Sequence, residues 1–154
     1  MICGKICSGK STYSKKLRTK ENAVLLSVDE IMLTVFGQNA GENHNEYVGK
    51  IKKYFLKKIP DFVDIGISVI LDWGFWTRQE RDFTREFCEI RDIDCELHYI
   101  DINDELWKQR INNRNNMVSV GKSDDYFVDS GLLEKFISIF EVPDKDEIDM
   151  LVNI

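Results

Sequence analysis

The sequence contains no apolar run long enough to cross a membrane. Its longest mostly apolar stretches are residues 67–71 and 24–26, whereas a helix needs roughly 20 apolar residues to span a bilayer. The first residues also lack the apolar segment of a secretory signal. We therefore expect no membrane partner and a cytoplasmic location.

Positive charge is also scarce in this chain. The formal net charge is −6, which is not the basic footprint of a nucleic-acid-binding protein. One lysine-rich cluster has the spacing of an amphipathic helix, and this favours a solvated lysine face over a patch for polyanions. Nucleic acid is therefore kept as an alternative partner and is not favoured. The cluster consists of Lys50, Lys52, Lys53, Lys57 and Lys58.

Paired cysteine motifs are absent as well. The four cysteines show no C-x-x-C spacing, and no histidine stands at zinc-finger spacing, so we expect reduced thiols. Cys7 differs from the others because it lies near Lys10 and a predicted helix N-terminus, where a thiol can gain thiolate character. A passive loop residue is nevertheless the favoured interpretation. The four residues are Cys3, Cys7, Cys88 and Cys95.

The bulk composition is that of an ordinary folded domain. The chain has 154 residues, of which 43% are hydrophobic and 31% charged, and this excludes a disordered class. This length is enough for one domain with a real core, and no repeat or linker divides it. We expect a single domain over residues 1–154, as a monomer or a homodimer.

Residues 4–11 fit the pattern G-x-x-x-x-G-K-[S/T], which wraps backbone N–H groups around nucleotide phosphates. Glycine is needed where the loop takes positive φ and lies close to phosphate oxygens. Lys10 would supply a charge for the β- and γ-phosphates, and Ser11 a hydroxyl ligand for Mg²⁺. The predicted nucleotide-binding residues are Gly4, Cys7, Ser8, Gly9, Lys10, Ser11 and Thr12.

This motif needs a strand before it and a helix after it. Residues 12–18 have the spacing of a helix, whose N-terminus would favour an anion. Only residues 1–3 precede Gly4, whereas buried strands usually have about five residues. A shortened first strand is therefore expected. A glycine-rich turn without nucleotide is the alternative reading of the motif.

The remaining chain alternates predicted strands with predicted helices, which is typical of an α/β fold with a parallel sheet. Strands are expected at residues 23–27, 67–71 and 95–100, and residues 149–154 are left open between a strand and a helical tail. Helices are expected at residues 30–36, 46–64 with an interruption near Pro60, 77–91, 103–114 and 132–140.

Two aspartates follow predicted strands. Asp72 ends the clearest buried strand, where a carboxylate can hold Mg²⁺; a cap on the next turn is the alternative. Asp29 follows the second strand, where an acceptor hydroxyl would lie in line with the γ-phosphate, so we predict that it is the general base. An N-cap for the helix starting at Glu30 is the alternative for Asp29.

Further site residues are predicted from their positions. Arg110 and Arg114 lie four apart on one helix and lead into an asparagine-rich stretch, so we predict a lid at about residues 110–125 that brings arginine to the γ-phosphate. A solvated pair is the alternative. The turn after Asp72 is aromatic and is either an acceptor floor or core. The predicted acceptor-binding residues are Asp29, Trp73, Phe75, Trp76 and Arg78, and Arg81 is a weaker candidate.

Four segments together resemble the small P-loop kinases, the group of polynucleotide 5′-hydroxyl kinases, zeta toxins and chloramphenicol phosphotransferase. The resemblance implies a three-layer αβα sandwich with a parallel five-stranded sheet in nucleoside-kinase order and a helical lid. It also implies ATP with Mg²⁺ as donor, Asp29 as the acceptor-activating aspartate, and Arg110 or Arg114 as the lid arginine. The segments are residues 4–12, 27–31, 71–81 and 110–115.

The chain departs from this group in three places. Cys7 stands where a second loop glycine is common, the first strand is short, and Met32 replaces a basic residue frequent in the polynucleotide kinases. We therefore expect a kinase for a small hydroxylated molecule. The alternatives are a polynucleotide 5′-hydroxyl kinase, a nucleotide-binding switch that forms no phosphorylated product, and an inactive relative of the fold.

Overall fold

The structure is a computed structural model that describes residues 1–154. Strands and helices alternate along the chain, with one short 3₁₀ helix at Gly41–Asn43. None of the helices combines the length and apolar character needed to cross a membrane. The elements are β1 (Ile2–Gly4), α1 (Lys10–Glu21), β2 (Val24–Ser27), α2 (Val28–Phe36), α3 (His44–Val63), β3 (Val69–Asp72), α4 (Arg78–Glu89), β4 (His98–Asp101), α5 (Asp104–Ser119), α6 (Ser130–Ile139) and β5 (Met150–Asn153).

All strand pairs are parallel. β1, β4 and β5 form one ladder, and β2 pairs with β3 in a second ladder. A single parallel bridge from Cys3 to Gly74 joins the two ladders and places the strands in the order β2-β3-β1-β4-β5. The predicted α/β class is confirmed, and every strand ends at the same edge of the sheet.

Alternating side chains of the strands fill the two faces of the sheet. Ile2, Ile70 and Ile100 point to the face covered by α1, through Tyr13 and Leu17.

Cys3, Leu71 and Tyr99 belong to the opposite core, which includes Phe55 of α3 and Met32 of α2. Helices therefore cover both faces, as the three-layer sandwich requires.

A separate apolar cluster lies at the carboxyl edge of the sheet. It joins Ile6 and Cys7 of the loop after β1 to Trp107 and Ile111 of α5 and to Phe136 of α6. This cluster packs α5 against the loop and so positions the candidate site.

Several predicted boundaries were wrong. α3 continues through Pro60, because the buried Ile59 and the neighbouring Phe55 and Leu56 hold the helix against the core. The helix expected to end at residue 114 continues to Ser119 in α5, so part of the predicted lid segment is helical. Residues 149–154, which the sequence left undecided between a strand and a helical tail, contain the strand β5, which pairs with β4.

Candidate active site

The segment from the end of β1 to the start of α1, residues 4–11, has two positions that require glycine. We refer to this segment as the phosphate loop. A Cβ on Gly4 would lie 2.8 Å from the carbonyl oxygen of Ile100, and one on Gly9 would lie 2.7 Å from Nη1 of Arg110. Gly9 also has a φ of 102°, a backbone conformation that L side chains rarely adopt. Gly4 is therefore required by space, because the atom that a Cβ would meet belongs to the backbone, and Gly9 is required by its backbone conformation.

Cys7 takes the left-handed conformation that glycine would adopt at this position. Its φ is 59°, and its side chain is buried against the α5 cluster. Burial raises the pKa of the Cys7 thiol, and the nearby charges of Arg114 and Lys10 only partly oppose this shift. The thiol is therefore protonated at neutral pH, which supports the favoured interpretation of Cys7 as a passive loop residue.

Lys10 begins α1 and turns back over the loop. Its Nζ donates a hydrogen bond to the carbonyl oxygen of Lys5 at 2.8 Å. Burial lowers the pKa of Lys10, and the carboxylates of Asp72 and Asp29 act in the opposite direction. Lys10 thus lies close to both Asp29, the predicted general base, and Asp72, the predicted metal ligand.

Asp72 ends β3 beside Ser27 of β2 and is 4% exposed. Burial raises its pKa, and the negative charge of Asp29 adds to this effect, while Lys10 and hydrogen bonding from Ser11 lower it. The Asp72 carboxylate and the Ser11 hydroxyl form a hard oxygen donor pair beside the phosphate loop. Their chemistry fits Mg²⁺, which takes one or two protein oxygens together with phosphate and water.

Asp29 lies in the first turn of α2 and is exposed. The cap of this helix is Ser27, whose Oγ accepts a hydrogen bond from the Glu30 amide at 3.3 Å. The alternative interpretation of Asp29 as an N-cap was therefore wrong. Its charge is close enough to raise the pKa values of Lys10, Asp72 and Tyr126.

The first turns of α5 hold the phosphate loop by its backbone. Nε1 of Trp107 donates to the carbonyl oxygen of Ile6 at 2.6 Å, and Nη1 of Arg110 donates to that of Ser8, also at 2.6 Å. Lys5 pairs with Asp104 at 2.7 Å. The sequence analysis found Arg110 but missed Asp104 and Trp107, which carry no motif of their own.

The segment after α5 crosses back over the carboxyl edge of the sheet. The Asn115 side chain makes two hydrogen bonds with the backbone of Val128, each 2.8 Å long. Gln38, which follows α2, donates to the carbonyl oxygens of Asp124 and Asp125 and accepts from the amide of Phe127. We refer to residues 120–129 as the crossing loop. Asn115 of α5 and Gln38 after α2 therefore both hold the backbone of the crossing loop in place.

Arg114 lies between the phosphate loop and the crossing loop. Its Nε is 4.0 Å from a carboxylate oxygen of Asp125, and its charge lowers the pKa values of Cys7 and Lys10. Arg114 is therefore close enough to the loop to influence an anion bound there.

The three aromatic side chains of the turn after Asp72 differ in how deeply they are buried. Phe75 is fully buried and so cannot contact an acceptor, which makes its predicted role wrong. Trp73 is 8% exposed and packs between Phe55 and Phe75, and Trp76 is half-buried against Phe136. The indole N–H groups of both tryptophans lack a protein partner.

Arg78 faces away from the loop. Its Nη1 donates to Asp144 at 2.7 Å, and its Nε lies 3.5 Å from Asp82. These carboxylates occupy its guanidinium at an exposed corner between α4 and the segment before β5. These contacts do not bring Arg78 to the phosphate loop, and its role in acceptor binding stays a prediction.

A cavity of about 510 Å³ opens beside the phosphate loop. It is bounded by the start of α1, the middle of α5 and the end of β5. Its volume and its mixed lining suit the base and ribose of a nucleotide whose phosphates lie in the loop. The lining residues are Cys7, Gly9, Thr12, Tyr13, Lys16, Arg110, Arg114, Val152 and Ile154.

Comparison with protein families gives one match. The sequence profile of a family described as AAA domain matches residues 1–143, which is most of the chain. No curated protein matches the sequence.

Solved structures resemble this chain over nearly its whole length. A sugar kinase from Janibacter sp. HTCC2649 is 19% identical with a TM-score of 0.66, over 99% of this chain and 82% of the other. The adenylyl-sulfate (APS) kinase CysC of Mycobacterium tuberculosis, solved with AMPPNP and APS, is 16% identical with a TM-score of 0.63, over 99% and 85%. Kti12 from Chaetomium thermophilum, solved with ADP-AlF3, is 14% identical with a TM-score of 0.69, over 99% and 86%. The shared feature is the P-loop kinase fold.

Proposed function

Since the chain belongs to the AAA domain family, we propose that it is an ATP-dependent kinase that transfers the γ-phosphoryl group to a hydroxyl of a small molecule. The observation that supports this proposal most is the convergence of four residues at one sheet edge. Asp72 ends β3 beside Ser27, the residue that caps the helix bearing Asp29, and Lys10 and Ser11 begin α1. The charges of Asp72 and Asp29 both act on Lys10. Phosphoryl transfer needs held phosphates, a metal and a group that positions the acceptor, and this edge offers a candidate for each.

The phosphate loop and α1 would bind the donor. Backbone N–H groups of the loop and the N-terminus of α1 attract the phosphates, and Lys10 supplies a point charge to the β- and γ-phosphates. Ser11 and Asp72 would hold Mg²⁺, which when bound neutralises charge on the phosphates. The base and ribose would occupy the cavity beside Gly9 and Arg110.

Asp29 would act on the acceptor. Its carboxylate takes the proton of the acceptor hydroxyl as that oxygen forms a bond to the γ-phosphorus. The bond from the γ-phosphorus to the bridging oxygen breaks, and ADP leaves with the electron pair. Arg114, near the loop and only weakly paired, is the better placed of the two arginines to stabilise the charge that develops on the transferred group. Arg110 is already bonded to Ser8 and would act mainly by holding the loop.

A small acceptor is favoured over a polynucleotide. The net charge of −6 opposes a phosphodiester chain, and two of the similar structures are kinases of small molecules, a sugar kinase and an APS kinase. Kti12 has the same fold and is not named as a kinase, so a switch that only hydrolyses nucleotide is the second candidate.

The test is transfer of label from γ-labelled ATP with Mg²⁺ to a panel of sugars, nucleosides, other hydroxylated small molecules and 5′-hydroxyl oligonucleotides. Label should appear on one small-molecule class and be lost in Lys10→Ala. Asp29→Asn should lose transfer yet keep ADP affinity, whereas Glu30→Gln, in the same exposed turn, should keep both. Release of free phosphate without a labelled acceptor would favour the switch, and label on oligonucleotides would favour the polynucleotide kinase.

A further inference from the structure

Arg81 of α4 is an arginine with almost no exposed surface. Only 1% of its surface is accessible, whereas arginine is almost never fully buried without a partner. Its partner is Glu147, which is 6% exposed and accepts from Nε at 2.7 Å and from Nη2 at 3.1 Å. Glu147 also accepts from the amide of Asp144, so the carboxylate is itself fixed in place.

The remaining donors of Arg81 hold two backbone segments. Nη1 donates to the carbonyl oxygen of Phe75 at 3.1 Å and to that of Glu141 at 3.0 Å. The Phe75 carbonyl oxygen also accepts from the Cys3 thiol at 3.3 Å. Arg81 therefore ties the turn after β3 to the segment that leads into β5.

The turn that Arg81 holds has an unfavourable backbone. Phe75 has a φ of 47° and Gly74 a φ of 89°, and a left-handed conformation costs a residue with a side chain roughly 1–2 kcal/mol. Such a conformation persists only where the surroundings over-determine it. Here the Phe75 carbonyl oxygen accepts hydrogen bonds from both Arg81 and Cys3, and Gly74 forms a parallel bridge to Cys3 of β1.

This turn begins immediately after Asp72, the proposed metal ligand. Mg²⁺ demands near-ideal octahedral geometry at short distances, so a small displacement of the Asp72 carboxylate would weaken its binding. Mutation of residues that orient a metal ligand without binding the metal themselves commonly changes metal affinity by about 10- to 100-fold.

We infer that Arg81, held by Glu147, is a positioning residue that fixes the 73–76 turn and thereby the Asp72 carboxylate for the metal bound with nucleotide. This inference rests on the proposed function, because it concerns the metal of that site. Arg81 touches neither the phosphates nor the acceptor; its effect passes through the Phe75 carbonyl oxygen.

The same helix provides a matched control. Arg85 lies one turn after Arg81 and also joins α4 to the C-terminal segment, through Asp149 at 2.6 Å and the carbonyl oxygen of Glu147. It also donates to the carbonyl oxygen of Cys95, before β4. It makes no hydrogen bond to the 73–76 turn. Arg85 contacts Glu147 only through its backbone carbonyl oxygen, so Arg85→Lys leaves in place both hydrogen bonds from Arg81 to the Glu147 carboxylate and the bond from Arg81 to Phe75.

The experiment measures ADP affinity by calorimetry across a titration of Mg²⁺, with melting temperatures for each variant. Arg81→Lys should raise the Mg²⁺ concentration needed for half-maximal enhancement of ADP affinity by about tenfold and leave metal-free ADP affinity unchanged. Arg85→Lys should lower the melting temperature but keep the wild-type Mg²⁺ dependence. If Arg81→Lys does not fold, Glu147→Gln, which keeps the bond to Phe75 but loosens Arg81, should shift the Mg²⁺ dependence in the same direction.

Two results would overturn the inference while the proposed function stands. One is a wild-type Mg²⁺ dependence in the folded Arg81 or Glu147 variant, and the other is an equal shift in Arg85→Lys. A wild-type protein that binds no ADP at any Mg²⁺ concentration would contradict the proposed function itself, and the inference with it.

Discussion

The guanidinium of Arg110 lies over Gly9 and donates a hydrogen bond to the carbonyl oxygen of Ser8 at 2.6 Å. This bond joins the middle of α5 to the tightest part of the phosphate loop. The bond also occupies the Ser8 carbonyl oxygen, which is a backbone acceptor in a loop that we propose binds phosphates through backbone N–H donors. The shape of the loop therefore depends on a helix about 100 residues away in sequence.

Loss of this bond should weaken nucleotide binding. A hydrogen bond from a charged group contributes about 1.5–3 kcal/mol, so we expect Arg110→Ala to raise the Kd for ADP by about tenfold or more. Titration calorimetry without metal measures this directly. Lys108→Ala, an exposed change on the same helix, is the control and should keep the wild-type Kd. Equal affinities in the two variants would show that the loop holds its shape without Arg110.

The backbone at Cys7 predicts a marked difference between two substitutions. Glycine relieves the left-handed strain but loses a buried thiol, so Cys7→Gly should change the free energy of unfolding by only about 1 kcal/mol. Valine is a genuine outlier at positive φ, so Cys7→Val should destabilise by about 2 kcal/mol or more. Urea unfolding measures both, with Cys95→Val as the control at ordinary φ. Equal stability of Cys7→Val and Cys95→Val would contradict the strain argument.

The crossing loop should loosen when Gln38 is replaced. Gln38→Ala removes three hydrogen bonds to the backbone of residues 124–127, and at about 1 kcal/mol net for one bond we expect amide exchange there to speed up by about tenfold or more. Hydrogen exchange read by mass spectrometry resolves this segment. Exchange in β3 and β4 should not change, nor should the loop respond to Gln79→Ala, an exposed glutamine on α4.

Glu147 should make stability depend on acid pH. Hydrogen bonding from Arg81 holds the pKa of Glu147 below its usual value, so the folded state favours the charged carboxylate. This contribution is fully present above the unfolded pKa of about 4.3 and is lost as pH falls through the lower folded pKa. Glu147→Gln should lose about 3 kcal/mol at neutral pH, because Arg81 remains buried and unpaired, and should show a shallower decline below pH 4. Glu134→Gln, an exposed change, should follow the wild-type pH curve.

The sequence predicted those parts of the site that follow from local rules. The glycines, Lys10 and Ser11 come from one contiguous motif, and Asp29 and Asp72 follow from the rule that parallel strands end at one edge. The structure brings these residues together as expected.

The contacts that the sequence missed are long-range. Trp107 and Asp104 hold the loop across about 100 residues, and no periodicity reports such a partner. Phe75 was assigned to the acceptor because of its place after Asp72, but its side chain is buried in the core. The pairing of Arg78 with Asp144 is likewise long-range, and the sequence pattern does not report it.

The junction between the two ladders of the sheet has a consequence for cooperativity. Regular pairing stops between β3 and β1, where the connection is the Cys3–Gly74 bridge with a long hydrogen bond of 3.4 Å from the Gly4 amide to the Gly74 carbonyl oxygen. Side chains from both ladders share the two cores, so packing rather than main-chain pairing holds the ladders together at this junction. Donor phosphates bound as we propose would contact Lys10 of α1 and, through metal, Asp72 of β3. A bound nucleotide would therefore add a second link across the junction, and we expect it to make the two ladders unfold more cooperatively.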